Sequence, residues 1–192
     1  MAFLTTRFEE ALRYALQLHG QQTRKKTGRP YIGHLMGVAA IVLQYGGDED
    51  QAIAALLHDA PEDQGGRPVL EEIRRRFGAR VAHIVDGCTD TYDDPKPEWR
   101  RRKQQYIDHV RTATPDVVLV SAADKVSNVR EILMDYRAHG EAVWPRFKGG
   151  RDGSLWYYRT LVDAYRAAAG SLPIVEDLDR EVAELERLAG LR

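Results

Sequence analysis

The segment DQAIAALLHD at residues 50–59 constrains the fold of this chain more than any other feature. Its apolar side chains lie almost all the way round a helix, so the helix has to be enclosed by other elements. The segment ends abruptly in His58 and Asp59, and Glu62 and Asp63 follow; these groups can bind a metal ion or transfer a proton. The question is whether this cluster is a solvated helix end or a functional site.

Helical patterning also dominates the rest of the chain. Apolar residues recur at the helical period, Gly78 separates two short helical segments, and Asp48 with Gln51 forms a predicted capping box. No segment shows the alternation of a strand, and no repeat or long linker divides the chain. We therefore expect an all-α fold with a single domain over 1–192, which ends in a helix at about 174–190.

The composition argues against several classes of protein. The formal net charge of −1 argues against a surface that binds nucleic acid as a whole, and the single cysteine, Cys88, excludes a disulfide framework. The apolar runs at 38–43 and 117–120 are too short to span a membrane, and the N-terminal segment becomes charged too early for a signal peptide. We expect a cytoplasmic protein without nucleic-acid or membrane partners, whose oligomeric state the sequence leaves open.

Two carboxylates are expected to be buried, and this favours a metal site. Asp59 follows the apolar run AIAALL, and Asp124 lies within VVLVSAADKVSNV, with Asn128 four residues on over the same helix face. A buried carboxylate is costly unless it is paired or bound to a cation. Together with His58, these groups suit a divalent ion such as manganese, iron or zinc.

The remaining histidines differ in their surroundings. His34 begins an apolar helix and is the preferred additional ligand, although the pattern alone leaves this choice open. His19 ends a helix beside polar residues, whereas His83, His109 and His139 lie in charged helices that we expect to be exposed.

Pro61 sets the geometry of the acidic residues that follow. It lacks an N–H and disfavours helical geometry at Ala60, so we expect the helix to end or kink at Asp59. Glu62 and Asp63 then lie in a bend or in the first turn of a new segment. Such a bend can direct a carboxylate at a metal-bound water, and it can equally be a solvated acidic turn.

Cationic and aromatic groups occur in three clusters. Basic residues lie at 24–29 and 100–103, and aromatic residues lie at 156–158. A charged diphosphate would need such cations. The pattern alone, however, favours a solvated loop at 24–29, a charged helix face at 100–103 and core packing at 156–158.

Four blocks of sequence, in this order, resemble the RelA/SpoT-type HD-domain alarmone hydrolases. The resemblance extends over about residues 8–168 and is strongest to the single-domain small alarmone hydrolases, which include the animal SpoT homologues. The chain departs from the family pattern at Leu35, Pro61 and Ser121-Ala122, none of which is a ligand position. The blocks are RKKTGRPYIGH at 24–34, AALLHDAPED at 54–63, FGARVAHIVDGCTD at 77–90 and SAADKVSNVR at 121–130.

The resemblance implies a fold, a reaction and a set of site residues. The fold is the all-α HD-domain phosphohydrolase fold, and the reaction is removal of the 3′-pyrophosphate from (p)ppGpp, an alarmone of the stringent response. One manganese-type ion would assist it. The implied metal ligands are His34, His58, Asp59 and Asp124. The pair Glu62 and Asp63 would activate and orient the attacking water. The implied contacts with the nucleotide are Arg24, Lys25, Lys103, Asn128 and Tyr157.

Two other functions stay open on the sequence. One is an HD phosphohydrolase that acts on another nucleotide, such as (p)ppApp, NADPH or a nucleoside monophosphate. The other is a sensor that binds a nucleotide without hydrolysing it, although the intact Glu62-Asp63 pair argues against this.

Overall fold

The computed structural model describes residues 4–24, 27–93, 95–170 and 172–191. Within these ranges the chain contains ten α-helices, one 3-10 helix and no β-strand, which confirms the expected all-α class. The α-helices are α1 Thr6–His19, α2 Tyr31–Gln44, α3 Glu49–Leu57, α4 Ala60–Gln64, α5 Arg67–Phe77, α6 Ala79–Cys88, α7 Trp99–Val110, α8 Pro115–His139, α9 Gly150–Ala169 and α10 Pro173–Leu188, and the 3-10 helix is Gly140–Arg146.

Helix α3 is the centre of the structure. Its residues 52–57 are almost completely buried, and it packs against α1, α2, α6 and α8. The helix begins at the predicted capping box, in which the N–H of Gln51 donates to Asp48 Oδ1 at 3.1 Å. The apolar segment is therefore enclosed on all sides, as the sequence pattern predicts.

The chain breaks between α3 and α4 at the predicted position. His58 ends α3, Asp59 precedes α4, and Pro61 lies in the first turn of α4, where a missing N–H costs no hydrogen bond. The N–H of Asp63 donates to the carbonyl oxygen of Asp59 at 3.0 Å. Glu62 and Asp63 therefore lie in the first turn of a new helix rather than one turn above His58 on α3.

Helix α8 brings a distant part of the chain to the end of α3. It has 25 residues and packs against α2, α3 and α6 on one side and against α9 and α10 on the other. Asp124 lies on its buried face. The close packing of α8 on α2 and α3 places Asp124 beside the histidines of those helices.

Helix α10 covers the outer side of α8 and α9, close to the range of about 174–190 that the sequence predicts. Its buried face consists of Ile174, Val175, Leu178, Val182 and Leu185. No helix in the described part of the chain is both long enough and apolar enough to cross a membrane.

Candidate metal and nucleotide site

Two histidines and two aspartates converge at the end of α3. His34 Nε2 lies 3.1 Å from Asp124 Oδ1 and 3.7 Å from Asp59 Oδ2. His58 Nε2 lies 3.1 Å from Asp59 Oδ2 and 3.6 Å from Asp124 Oδ1. These four residues come from α2, α8 and the junction of α3 with α4, so the helix packing brings together the groups that the sequence places far apart.

The hydrogen bonds of the two histidines fit a metal site. His58 Nδ1 donates to the carbonyl oxygen of Ala55 at 2.8 Å, and His34 Nδ1 lies 3.2 Å from Ser127 Oγ. Both Nε2 atoms are buried and make no hydrogen bond, although they face carboxylate oxygens. A histidine ligand of a metal ion typically has its second ring nitrogen held in this way. The donor set of two imidazoles and two carboxylates therefore fits a divalent ion such as manganese, iron or zinc.

The two aspartates are held as anions. Burial, the largest single influence, acts to raise the pKa of both carboxyls. The contacts of Asp59 with His58 and His34, and those of Asp124 with Lys125, His34 and His58, together outweigh it, so each pKa lies below its usual value. The hydroxyl of Tyr31 donates to Asp59 Oδ2 at 2.6 Å, and Lys125 Nζ donates to Asp124 Oδ2 at 2.5 Å. These contacts orient the carboxylates toward the histidines.

Glu62 and Asp63 face the same region from α4. Lys96 Nζ donates to Glu62 Oε1 at 2.7 Å, and the N–H of Asp90 donates to Glu62 Oε2 at 3.4 Å. Partial loss of hydration within the cavity and the nearby charge of Asp59 raise the pKa of the Asp63 carboxyl, although part of its side chain stays accessible. Both acidic residues are therefore next to the cluster, as required for groups that orient a water molecule or accept its proton.

A cavity of about 440 Å³ opens beside the cluster. This volume is in the range of pockets that bind small organic ligands. The proposed ligands His34, Asp59 and Asp124 line it, and so do Glu62 and Asp63. The cavity therefore brings a candidate metal site and candidate catalytic carboxylates to one ligand-sized space.

Four of the five nucleotide-contacting residues implied by the resemblance also line this cavity: Arg24, Lys103, Asn128 and Tyr157. The fifth, Lys25, lies outside the described residues. Arg24 donates to Asn128 Oδ1 at 2.5 Å, and Asn128 donates to Asp124 Oδ1 at 2.5 Å. The interpretation of Arg24 as part of a solvated loop is wrong, because its side chain is only 18% exposed and also pairs with Glu131.

Lys103 and Tyr157 form another part of the cavity wall. Lys103 Nζ donates to Asp90 Oδ2 at 2.9 Å and lies 4.8 Å from the centroid of the Tyr157 ring. Burial, together with the charges of Lys125 and Arg102, lowers the pKa of Lys103 to about 7. Tyr157 is 6% exposed, so it is both a core residue and a wall of the cavity.

Several residues of the site were not identified from the sequence. Tyr31 and Lys125 could have been found, because Tyr31 lies one helical turn before His34 and Lys125 follows Asp124 directly. Lys96 and Asp90 gave no such signal, because their partner Glu62 is 34 and 28 positions away.

Comparison with known proteins places the chain in a family. The family model described as "HD domain" matches residues 11–155. The mouse protein named guanosine-3′,5′-bis(diphosphate) 3′-pyrophosphohydrolase MESH1 is 40% identical over 126 residues, which cover 64% of this chain and 68% of the mouse protein. The guanosine-3′,5′-bis(diphosphate) 3′-pyrophosphohydrolase of Aquifex aeolicus is 37% identical over 127 residues, which cover 65% of this chain and 17% of that protein.

Two solved structures also have a similar fold. The structure of a metazoan orthologue of SpoT that hydrolyses ppGpp has a TM-score of 0.76 and 27% identity, and the match covers 100% of both chains. A protein of Listeria monocytogenes EGD-e has a TM-score of 0.71 and 28% identity, over 80% of this chain and 99% of that one. The chain belongs to the HD-domain family, among the MESH1-like and SpoT-like proteins.

Proposed function

We propose that this protein is a metal-dependent hydrolase that removes the 3′-pyrophosphate from (p)ppGpp-type alarmones and produces GDP or GTP and pyrophosphate. The observation that carries the proposal is the shared cavity. It is lined by residues of the His/Asp cluster, by the carboxylates of Glu62 and Asp63, and by the side chains of Arg24 and Lys103, which we call the cationic wall. Support also comes from relatives that bear the name of this activity at up to 40% identity.

His34, His58, Asp59 and Asp124 would hold one divalent ion, and we propose Mn²⁺. When bound, such an ion supplies Lewis acidity toward a phosphoryl oxygen and acidifies a coordinated water. The hydroxyl of Tyr31 and the ammonium of Lys125 keep Asp59 and Asp124 oriented for this role.

Glu62 would accept a proton from the attacking water, and Asp63 would orient that water. Glu62 suits the role because the contacts with Lys96 and Asp90 fix the direction of its carboxylate. A positioned general base of this kind contributes roughly 10²- to 10⁴-fold to the rate.

The cationic wall would hold the phosphates of the substrate. Arg24 and Lys103, which line the cavity, would contact phosphate oxygens, Asn128 would contact the ribose, and the ring of Tyr157 would limit the cavity beside Lys103. Lys25, which lies outside the described residues, is proposed as a further phosphate contact from the resemblance alone. Water attacks the phosphorus attached to the ribose 3′ oxygen, and the bond between that phosphorus and that oxygen breaks. The pyrophosphate departs, and the 3′ oxygen takes up a proton.

A substrate panel tests the proposal. The purified protein is incubated with Mn²⁺ and, separately, with ppGpp, pppGpp, ppApp, NADPH and GMP, and the products are separated by chromatography. We expect GDP from ppGpp and GTP from pppGpp, each with pyrophosphate. Hydrolysis of GMP alone would identify a nucleotidase, and binding of ppGpp without any product would identify a sensor.

The alarmone substrate leads us to propose a role in the stringent response and a cytoplasmic location.

A further inference from the structure

A fully buried histidine lies beside the site and takes no part in the proposed chemistry. His19 ends α1 with no exposed surface, and its ring stacks on Tyr31 with 5.5 Å between centroids and an angle of 19°. Its Nδ1 atom lies 2.8 Å from Gln22 Oε1. An amide oxygen can only accept a hydrogen bond, so His19 is the donor in this contact.

The contacts of Gln22 determine how its side-chain amide is oriented. Gln22 Oε1 accepts from His19 Nδ1 and also from Gln64 Nε2 at 2.6 Å. The amide nitrogen therefore points the other way, and it donates to Asp63 Oδ2 at 2.8 Å. A flipped amide would bring its oxygen against the Asp63 carboxylate and its NH₂ against the NH₂ of Gln64. An ionised carboxylate only accepts hydrogen bonds, so the amide nitrogen of Gln22 faces Asp63, and the oxygen of the same amide faces His19 and Gln64.

Asp63 depends on this contact for its orientation. Its side chain is accessible from the cavity, and in the part of the chain that the structure describes Gln22 is the only residue that donates a hydrogen bond to its side chain. An accessible carboxylate without a donor would populate several rotamers. One fixed rotamer is what a residue that orients a water molecule needs, because small misplacements at a reacting centre reduce the rate strongly.

The backbone also connects Gln22 to the metal site. The N–H of Tyr31 donates to the carbonyl oxygen of Gln22 at 2.9 Å, and the hydroxyl of Tyr31 donates to Asp59. The segment between α1 and α2 therefore orients a proposed metal ligand through Tyr31 and a proposed catalytic carboxylate through Gln22.

We propose that Gln22, oriented by His19 and Gln64, is a positioning residue that fixes Asp63 for catalysis. This role rests on the proposed hydrolase function. Gln22 lines the cavity, and its amide contacts the proposed catalytic carboxylates through Asp63, so we expect its loss mainly to reduce the rate of the bound complex. The loss of Gln22 should leave the metal site and the fold in place, because none of its three side-chain hydrogen bonds, to His19, Gln64 and Asp63, involves a proposed metal ligand.

Two substitutions of Gln22 and one control test this role. Gln22→Ala removes the donor, and Gln22→Glu keeps the shape and the acceptor for His19 and Gln64 while replacing the donor with a second oxygen. Gln21→Ala changes the exposed neighbouring glutamine and is the control. With ppGpp and Mn²⁺, we expect kcat to fall about 10- to 100-fold in both Gln22 variants, with KM, metal content and Tm close to wild type, and no change in Gln21→Ala.

A second measurement does not depend on turnover. In protein labelled with ¹⁵N at histidine, the Nδ1 resonance of His19 should shift in Gln22→Ala and stay unchanged in Gln21→Ala, with no metal added. Wild-type kcat in both Gln22 variants would overturn the positioning role, and so would a loss of kcat that is matched by a loss of metal or of Tm. A wild-type protein that does not hydrolyse ppGpp would instead overturn the proposed function, and this role with it.

Discussion

The orientation of the Glu62 carboxylate depends on two separate contacts. Each of its carboxylate oxygens has a separate donor, Lys96 Nζ on one and the N–H of Asp90 on the other. Asp90 in turn binds Lys103 and Arg102 through Oδ2. Glu62, the proposed proton acceptor, is therefore linked through Asp90 to Lys103, a proposed phosphate contact, so the orientations of the two side chains depend on each other.

Replacing Glu62 with glutamine should separate binding from chemistry. The Glu62→Gln side chain keeps its size but cannot accept a proton, so we expect kcat to fall by about 10²-fold or more. Metal content and nucleotide affinity should stay near wild type. Steady-state kinetics together with calorimetric titration of nucleotide would measure both, and unchanged turnover would remove Glu62 from the mechanism.

The proposed metal ligands should act as one set. Asp124→Ala removes an anion that faces His34 and His58, so we expect loss of bound metal and a lower free energy of unfolding. His58→Ala should lose metal as well, whereas Asp108→Ala on the exposed side of α7 should retain it. Elemental analysis of the purified variants measures this, and full occupancy in both Asp124→Ala and His58→Ala would disprove the site.

Lys103 should make substrate binding depend on pH. Its pKa of about 7 means that the ammonium loses its charge as the pH rises through neutrality, so KM for an anionic nucleotide should rise between about pH 6 and pH 8. Lys103→Arg stays charged and should flatten this rise. A KM profile identical in wild type and Lys103→Arg would contradict the assignment. The groups that face Lys103 are Glu62, Asp90, Arg102, Asp124, Lys125 and the ring of Tyr157.

At the scale of elements, the short helix α4 carries both of the proposed catalytic carboxylates, Glu62 and Asp63. Pro61 separates it from α3, and two glycines with positive φ, Gly65 and Gly66, follow its last turn. Gly66 has φ 67° and ψ −142°, a conformation that side-chain-bearing residues avoid. The position of Glu62 and Asp63 therefore depends on the backbone at both ends of α4.

Two glycine substitutions should have opposite effects on stability. Gly66→Ala forces a side chain into a strained conformation and should lower the free energy of unfolding by about 1–3 kcal/mol. Gly33→Ala, in the first turn of α2 with open space around it, should raise this free energy by up to about 1 kcal/mol. Denaturant titration measures both values, and equal stabilities would show that the Gly66 backbone is not constrained.

The sequence predicted the elements of this fold better than the contacts between them. The central helix and its capping box follow from local patterns, and so does the break at Pro61. The contact between Gln22 and Asp63 joins residues 41 positions apart, and the contact between Lys96 and Glu62 joins residues 34 positions apart. Both depend on packing between distant segments, so they cannot be predicted from a local sequence pattern. The burial of His19 depends on packing in the same way, since the sequence showed only that it ends a helix beside polar residues.

At the scale of the whole molecule, the cavity is built by parts of the chain that are distant in sequence. The segment before α2 supplies Arg24, and α2 itself supplies Tyr31 and His34. The α3–α4 junction and α4 supply Asp59, Glu62 and Asp63, and α7, α8 and α9 supply much of the opposite wall. Helix α10 packs on α8 and α9 from outside. The packing of these helices therefore brings the proposed metal ligands, the acidic residues of α4 and the cationic side chains to one cavity.

The most direct test of the proposed reaction is to follow the oxygen of the attacking water. Wild-type protein is incubated with Mn²⁺ and ppGpp in H₂¹⁸O, with Glu62→Gln as the background control, and the products are analysed by mass spectrometry. Attack at the phosphorus on the ribose 3′ oxygen predicts unlabelled GDP and pyrophosphate that carries ¹⁸O. Labelled orthophosphate with a shortened 3′-monophosphate, or ¹⁸O in the nucleotide, would contradict the reaction proposed for this site.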